Sequence, residues 1–124
     1  MHAVVSGPRP TNIVLHKASH ALELSFDSGQ TFRLPCELLR VYSPSAEVMG
    51  HGPGQRILQV GKRHVNIRAI SPIGNYAVLL EFDDGHKTGI FSWGMLHDLG
   101  ARLEQHWQSY LDQLQAAGAS RDPT

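Results

Sequence analysis

The stretch that most constrains the fold runs from Ala77 to Leu99, AVLLEFDDGHKTGIFSWGMLHDL. It starts with a run of apolar and β-favouring residues, turns at Asp83-Asp84-Gly85, and resumes an extended pattern over residues 88–91. Ser92 then stands at a helix N-cap position, where a serine hydroxyl accepts a hydrogen bond from an unpaired amide of the first turn. The stretch therefore predicts a strand, a tight turn, a second strand and a helix that begins at Trp93.

An earlier stretch follows the same outline. Residues 21–26 (ALELSF) alternate apolar and polar side chains, Asp27-Ser28-Gly29 supplies a turn, and residues 31–34 alternate again. Pro35 can open a short helix over residues 36–41 (CELLRV), because its missing amide would be unpaired in a first turn anyway. The sequence therefore predicts two strand-turn-strand-helix units, and either an internal repeat or a chance match accounts for their likeness.

Three further segments complete the first part of the chain. Residues 12–16 and 65–70 are short strand candidates, and residues 43–48 can form a helical turn capped by Ser43. Residues 49–55 hold too many glycines and prolines for regular structure, so we expect an exposed, mobile loop there.

An amphipathic helix is expected from Trp93 to about Ala117, bent or broken at Gly100. Its apolar residues recur at three- and four-residue steps and are Leu96, Leu99, Leu103, Trp107, Tyr110 and Leu114. Such a stripe most often packs on a sheet of the same chain, and the alternative is a homodimer contact through its last three members. We therefore expect a monomer, or a weak homodimer through the C-terminal helix.

The length of 124 residues allows one domain. We expect an α+β domain over residues 11–117, made of small antiparallel β-sheets from the two strand-turn-strand-helix units and packed with the C-terminal amphipathic helix. Residues 1–10 are expected to be a flexible N-terminus, and residues 118–124 a disordered tail.

Charge and cysteine content exclude several classes of protein. Basic and acidic residues number 11 each, so the formal net charge is zero, without a basic footprint for nucleic acid or an anionic membrane. The single cysteine, Cys36, excludes an intramolecular disulfide and a multi-cysteine metal site within one chain. With no signal-peptide pattern and no run near the ~20 apolar residues that span a bilayer, we expect a cytoplasmic protein without membrane contact.

His86 is the polar residue with the most chemical interest, because it directly follows the turn and its imidazole is expected to reach towards residues 43–54. It can be a solvated turn residue, a metal ligand, or a hydrogen-bonding post for that loop. We expect no bound cofactor; the alternative is a zinc or iron site, which would need His51 or Glu47 as further ligands. Other residues with ligating side chains are His64, Asp84 and Cys36, and their spacing matches no known metal motif.

No catalytic motif is visible, so we expect no enzyme. The chain lacks a G-x-S-x-G elbow, and G-H-G-P-G at residues 50–54 lacks the lysine of a phosphate-binding loop. Cys36 is either a buried, inert thiol or a thiol activated near a helix start. A modest basic patch between residues 56 and 68 is more often a solvated face than a nucleic-acid site. Its members are Arg56, Lys62, Arg63, His64 and Arg68.

Two motifs taken together resemble a known family. The segments FDDGHKTGIFSWGMLHDLG (residues 82–100) and LPCELLRVYSPSAEV (residues 34–48), with the hairpin before the latter, are similar to small bacterial proteins related to the N-terminal domain of gamma-butyrobetaine hydroxylase. The resemblance covers about residues 11–100. Proteins of this family form a domain of unknown function, and similar modules occur fused to oxygenases and to P-loop iron–sulfur carrier ATPases.

The resemblance also implies an altered metal position. In the hydroxylase, this domain holds a structural zinc through three cysteines after the L-R element and one histidine in the D-G-H turn, which His86 matches. Ser43 and Ser45 stand where cysteines would be expected. The resemblance therefore implies that hydrogen bonds or packing hold this loop in place of a metal.

The leading hypothesis is a non-catalytic accessory or protein-interaction module, linked to iron–sulfur or other metal-dependent proteins. The oxygenase's catalytic domain and its H-x-D motif are missing from this chain. The partner would be an unidentified protein, with Arg40, Ser43, Ser45 and Trp93 as binding candidates. The alternatives are a metal-binding protein that uses His86 and a nucleic-acid-binding protein that uses residues 56–68.

Overall fold

The computed structural model describes residues 7–50 and 56–123. These residues form two three-stranded antiparallel sheets and four helices, which confirms the expected α+β class. The first sheet contains β1 (Pro10–His16), β2 (Ala21–Phe26) and β3 (Thr31–Pro35), and α1 (Cys36–Val41) and α2 (Ala46–Met49) follow it. The second sheet contains β4 (Ile67–Ile73), β5 (Ala77–Phe82) and β6 (Gly89–Ser92), and α3 (Trp93–Ala101) and α4 (Leu103–Ala116) follow it.

The two units repeat each other strand for strand. In each sheet the strand order follows the chain. The last residue of the third strand pairs with the first residue of the middle strand in both sheets: Pro35 with Ala21, and Ser92 with Ala77. The first strand of each sheet has a register shift near its start. The repeat therefore includes β1 and β4, which the two predicted units left out.

The turns between the second and third strands are also built alike. Gly29 and Gly85 have φ angles of 90° and 91°, in the left-handed region that glycine adopts without a steric penalty. In each turn the amide of the preceding phenylalanine, Phe26 or Phe82, donates over 2.8 Å to the carbonyl of the residue after the glycine. The Asp-x-Gly signal therefore predicted both turns correctly.

The two sheets share one hydrophobic core with α1 and α3. β2 and β5 have the same burial pattern along their six residues, with the second, fourth and sixth side chains buried in each. Every residue of α1 is buried. Burial raises the pKa of the Cys36 thiol to about 11, which identifies it as a core residue rather than a nucleophile.

The C-terminal helix is broken close to the expected place. α3 ends at Ala101 and α4 begins at Leu103, and a Cβ on Gly100 would lie 2.4 Å from the Phe32 ring. In α4, Tyr110 and Leu114 are buried in a second cluster with residues of the same chain, so the stripe packs on its own domain. Within the described residues, no helix combines the length and apolar character needed to cross a membrane.

The segment after α4 differs from the expected disordered tail, because residues 118–123 fold back onto the domain. Arg121 donates two hydrogen bonds to the carboxylate of buried Glu37, at 2.7 and 2.8 Å, and Tyr110 donates a third at 2.7 Å. The Gly61 amide donates to the Ser120 carbonyl over 3.0 Å. This polar segment lacks any periodicity, so the sequence pattern did not reveal a contact that spans 84 positions.

Three local expectations also change. Ser45, not Ser43, caps α2, since its hydroxyl accepts the Glu47 amide at 3.2 Å. β4 starts at Ile67 rather than residue 65 and continues through Pro72, which an edge strand tolerates because no ladder bond needs its amide. Most of the expected mobile loop, residues 51–55, lies outside the described residues.

Candidate functional site

Two segments meet at the end of the second sheet: residues 40–47, which join α1 to α2, and residues 84–88, which join β5 to β6. We call the side chains that connect them the polar cluster. Its members are Arg40, Ser43, Ser45, Glu47, Asp84, His86 and Thr88. The cluster brings together most of the site residues expected from the sequence.

His86 is the centre of the polar cluster. Its Nε2 lies 2.8 Å from the Oγ of Ser43, and the two residues are 6% and 0% exposed. The Ser43 Oγ also accepts the Ser45 amide at 3.3 Å, which leaves its hydroxyl hydrogen available to Nε2. Burial, with the positive charge of Arg40, lowers the pKa of His86, which favours the neutral imidazole; a neutral ring protonated at Nδ1 accepts this hydrogen at Nε2. His86 is therefore a buried post for the loop and not a solvated turn residue.

A second set of hydrogen bonds ties the start of α2 to the same turn. The hydroxyl oxygens of Ser45 and Thr88 are 2.7 Å apart, and Thr88 donates to the Glu47 carboxylate at 2.5 Å. The hydrogen bond from Thr88 lowers the pKa of Glu47. The contact between α2 and the turn therefore consists of short hydrogen bonds that Thr88 makes with Ser45 and Glu47, rather than of apolar packing.

An ion pair closes the other side of the polar cluster. Asp84 accepts from Arg40 at 2.8 Å and from Lys62 at 2.6 Å, and its second oxygen accepts the His86 amide at 3.2 Å. Burial raises the pKa of this carboxyl, but the hydrogen bonds from Lys62 and Arg40 outweigh burial and lower the pKa to about 2. Within the described part of the chain, Arg40 Nη1 is the one buried side-chain nitrogen or oxygen without a partner.

Gly89 lets β6 approach the polar cluster closely. A Cβ at this position would lie 2.3 Å from the Ser43 Oγ. Any larger residue would therefore displace Ser43 from His86. The glycine explains how a hydroxyl can be fully buried directly under the sheet backbone.

The polar cluster does not have the donor set of a structural zinc site. Zinc in such sites is held by thiolates, imidazoles and carboxylates, whereas Ser43 and Ser45 offer neutral hydroxyls. Among residues 7–50 and 56–123, no group of three or more His, Cys, Asp or Glu side chains is arranged to hold a metal ion. Cys36 lies elsewhere, with its Sγ 3.6 Å from Asn66 Oδ1, and His51 lies outside the described residues.

The residues expected to bind a partner do not form one surface. Arg40, Ser43 and Ser45 are buried at 7%, 0% and 6% exposure. Trp93 follows β6 at the opposite end of the sheet, where its Nε1 donates to the Asn75 carbonyl at 2.8 Å. Arg40, Ser43 and Ser45 therefore contribute to the interior of the domain, and Trp93 lies at the other end of the second sheet.

The expected basic patch is also divided among separate contacts. Arg56 donates to the Val41 carbonyl at 3.1 Å, and its guanidinium lies over the Tyr42 ring. Three other cations pair with carboxylates, namely Lys62 with Asp84, Arg63 with Asp122, and Arg68 with Glu81. Each of these four cations therefore contacts a different partner within the chain, and they do not combine into one basic patch.

The polar cluster supports an exposed apolar surface that the sequence analysis missed. Met49 in α2 and Ile57 in the segment beside it are 43% and 51% exposed, and we call these two residues the α2 surface. The Ile57 amide donates to the Val48 carbonyl at 2.7 Å, which fastens the segment beside α2. The only available signal in the sequence was the presence of large apolar residues in a stretch without periodicity.

These features define a class of protein: a small α+β domain with a repeated three-strand unit, whose second copy is joined to the inter-unit segment by a buried polar cluster. The family described as gamma-butyrobetaine hydroxylase-like, N-terminal, matches residues 13–97, and the chain belongs to this family.

Solved structures agree with this assignment. One NMR solution structure is 54% identical, with 99% of this chain and 92% of that chain covered and a TM-score of 0.82. Another is 48% identical, with 94% and 92% covered and a TM-score of 0.82. A crystal structure of a DUF971-family protein of unknown function from Acidithiobacillus ferrooxidans is 40% identical, with 75% and 93% covered and a TM-score of 0.64. No curated protein gives a significant match.

Proposed function

We propose that this chain is a non-catalytic accessory module that binds a partner protein through the α2 surface. The observation that carries the proposal is the closure of the polar cluster. Its central pair, Ser43 and His86, is buried and hydrogen-bonded internally. The cluster therefore acts as a structural clip that positions α2 and the segment beside it.

The same pair argues against serine hydrolase chemistry. A hydroxyl 2.8 Å from an imidazole resembles a nucleophile and its base, but Ser43 is 0% exposed and cannot reach a substrate. The Nδ1 of His86 lies 3.8 Å from the Glu47 carboxylate, beyond hydrogen-bonding distance, so among the described residues no third group orients the ring. The arrangement supports a structural function for both residues.

The α2 surface has the properties of a contact site. Two large apolar side chains, Met49 and Ile57, are about half exposed there, and methionine adapts its shape to different partners. The hydrogen bonds of Ser45 with Thr88 and of Ile57 with Val48 hold this surface in place before binding. From the family resemblance, the partner is a metal-dependent protein of the oxygenase or iron–sulfur type.

Partner capture with matched variants tests the proposal. The immobilised chain is incubated with cell extract, retained proteins are identified by mass spectrometry, and the affinity of each purified candidate is then measured by calorimetry. We expect Met49→Asp and Ile57→Asp to weaken binding at least about tenfold, since each buries a charge in an apolar contact. Tyr76→Asp is the control, because Tyr76 is 59% exposed in the hairpin between β4 and β5.

Equal loss of binding in the control, or no loss in either α2-surface variant, would contradict the proposed surface. Turnover of a substrate by the purified chain, with no partner retained, would contradict the non-catalytic function itself.

A metal-binding function is the second candidate, and the approach of His86 Nδ1 to Glu47 at 3.8 Å is the observation that favours it. Elemental analysis of protein purified without an affinity tag or chelator separates the two. Stoichiometric zinc or iron that disappears in His86→Ala would replace the accessory function with a metal-binding one. Unchanged metal content in that variant would remove the basis of this alternative.

A further inference from the structure

The outer faces of the two sheets carry opposite chemistry at equivalent positions. In the first sheet, Glu23 of β2 pairs directly with Arg33 of β3. In the second sheet, the pair in the same place is Leu79 of β5 with Ile90 of β6. The repeat thus replaces a pair of opposite charges by a pair of large apolar side chains.

Polar contacts cover the outer face of the first sheet. The Glu23 carboxylate lies 3.0 Å from His16 Nε2 and 4.0 Å from Arg33, and Arg33 donates to Ser19 at 2.7 Å. One pair further along, the hydroxyls of Ser25 and Thr31 are 3.1 Å apart. This face is therefore adapted to contact with water.

The outer face of the second sheet has an apolar patch instead. Cross-strand pairing places Ala69, Ile73, Leu79 and Ile90 on this face, and we call these four residues the outer patch. Ser71, which pairs with Leu79, also lies on this face and is its polar member in β4. Ile90 is 47% exposed, although it lies in the middle of its strand. Ile73 stands where the first sheet has His16, since each pairs with the first residue of its middle strand. A solvated sheet does not require apolar residues at these places, so the patch points to a contact.

We propose that the outer patch binds the outer patch of a second copy of this chain, so that two second sheets pack face to face about a two-fold axis. Such an interface needs a self-complementary surface, because the same residues meet from both sides. The formal net charge of zero means that two copies do not repel each other at neutral pH. This interface is distinct from the α2 surface and does not depend on the proposed function.

The charged rim of the outer patch supports a second copy as the occupant. Arg68 and Glu81 lie beside the patch, 3.8 Å apart, with side chains 60% and 37% exposed. A two-fold axis can bring Arg68 of one copy to Glu81 of the other and the reverse, so both rims gain opposite-charge neighbours. The paired charges offer no net attraction to a strongly charged partner.

The area of the patch sets the strength of the contact. Three strands about 4.8 Å apart and about five residues long present roughly 240 Å² on one face. Two such faces bury roughly 500 Å², well below the ~1,200 Å² at which specific interfaces become stable. We therefore expect a weak, reversible dimer that forms only in concentrated solution.

Sedimentation of the full chain over a concentration series, from about 10 μM to about 1 mM, tests this interface. We expect the mass to rise from monomer towards dimer. The double variant Leu79→Glu/Ile90→Arg transplants the charge pair of the first sheet and should weaken association at least about tenfold while keeping the fold, as checked by circular dichroism. Met49→Asp should leave association unchanged, which separates this interface from the α2 surface.

A charge-swap series tests the two-fold arrangement. Arg68→Glu should weaken association, because two acidic rims would then meet, and Arg68→Glu/Glu81→Arg should restore it. A monomer at every concentration, association unaffected by the Leu79→Glu/Ile90→Arg variant, or failure of the charge swap to restore association would each overturn the proposal.

Discussion

The two units have the same backbone plan, but the turn between their second and third strands is used differently. Gln30 and His86 occupy the same position, since the carbonyl of each accepts the amide of the preceding phenylalanine. Gln30 is exposed and makes side-chain contacts near the surface, with Ser28 and His97. His86 is 6% exposed and joined to Ser43.

The physical origin of the difference is the strand pairing near each turn. In the first unit the ladder reaches the turn, with Ser25 paired to Thr31. In the second unit the last pair is Leu80 with Gly89, so Thr88, the residue before Gly89, lies outside the strand pairing and can bond elsewhere. Thr88 bonds to Ser45 instead of to a strand. A repeated hairpin can thus acquire a new contact by giving up pairing at its tip.

The largest expected effect comes from the core that the two units share. Leu24 and Leu80 occupy equivalent positions and are both 0% exposed. Leu24→Ala and Leu80→Ala should each lower the free energy of unfolding by about 2–5 kcal/mol, since each leaves a cavity. Urea unfolding followed by circular dichroism measures this. Both variants should unfold in one transition, and two separate transitions would show that the units fold independently.

A smaller effect is expected at the turn, where the two units differ. His86→Ala should lower the free energy of unfolding by about 1–3 kcal/mol, because it removes a buried hydrogen bond and leaves Ser43 short of a partner. Gln30→Ala, the matched change in the first unit, should cost less than about 0.5 kcal/mol because the side chain is exposed. The same urea measurement applies. Equal effects at the two positions would mean that the polar cluster contributes nothing to stability.

The smallest effect is the pH dependence of that contact. Burial and the charge of Arg40 lower the pKa of His86 below its ordinary value of 6.5, so the unfolded chain takes up the proton first as pH falls. The contribution of neutral His86 is complete above pH 6.5 and is lost as pH falls below that value towards the folded pKa. His86→Gln should remove this part of the slope.

The pKa of about 2 at Asp84 provides an internal control. Its ordinary value is 3.8, so the stability from this carboxylate is lost only between about pH 3.8 and 2. The His86→Gln variant should therefore still lose stability between about pH 3.8 and 2, as the wild-type chain does. If thermal unfolding shows the same slope between about pH 7 and 5 in the variant and the wild-type chain, His86 is not the titrating group.

Local signals in the sequence were sufficient for much of the fold. The Asp-x-Gly turns were predicted correctly, and so was the cap at Ser92, whose hydroxyl accepts the Met95 amide at 3.2 Å, because each depends on neighbouring residues only. The approach of His86 to the loop at Ser43 was also expected. Ser43 was assigned as the cap of α2 because Pro44 favours the first helical turn, whereas its hydroxyl is occupied by His86.

Contacts between distant segments could not be read from the sequence. The α2 surface and the outer patch consist of ordinary apolar residues whose exposure depends on what the rest of the chain covers. Ile90 alternates with buried Gly89 and Phe91, so its pattern is that of any half-buried strand. Only the comparison of the two sheets reveals that its counterpart, Arg33, is charged.

The bond between Arg121 and Glu37 has a consequence for how the chain is made. Protein synthesis releases α1 long before Arg121, so the Glu37 carboxylate first lacks the partner that permits its burial. We therefore expect the interior around α1 to reach its final packing only after Arg121 has left the ribosome. Any sequence joined after Arg121, such as a purification tag, must leave this arginine free to fold back.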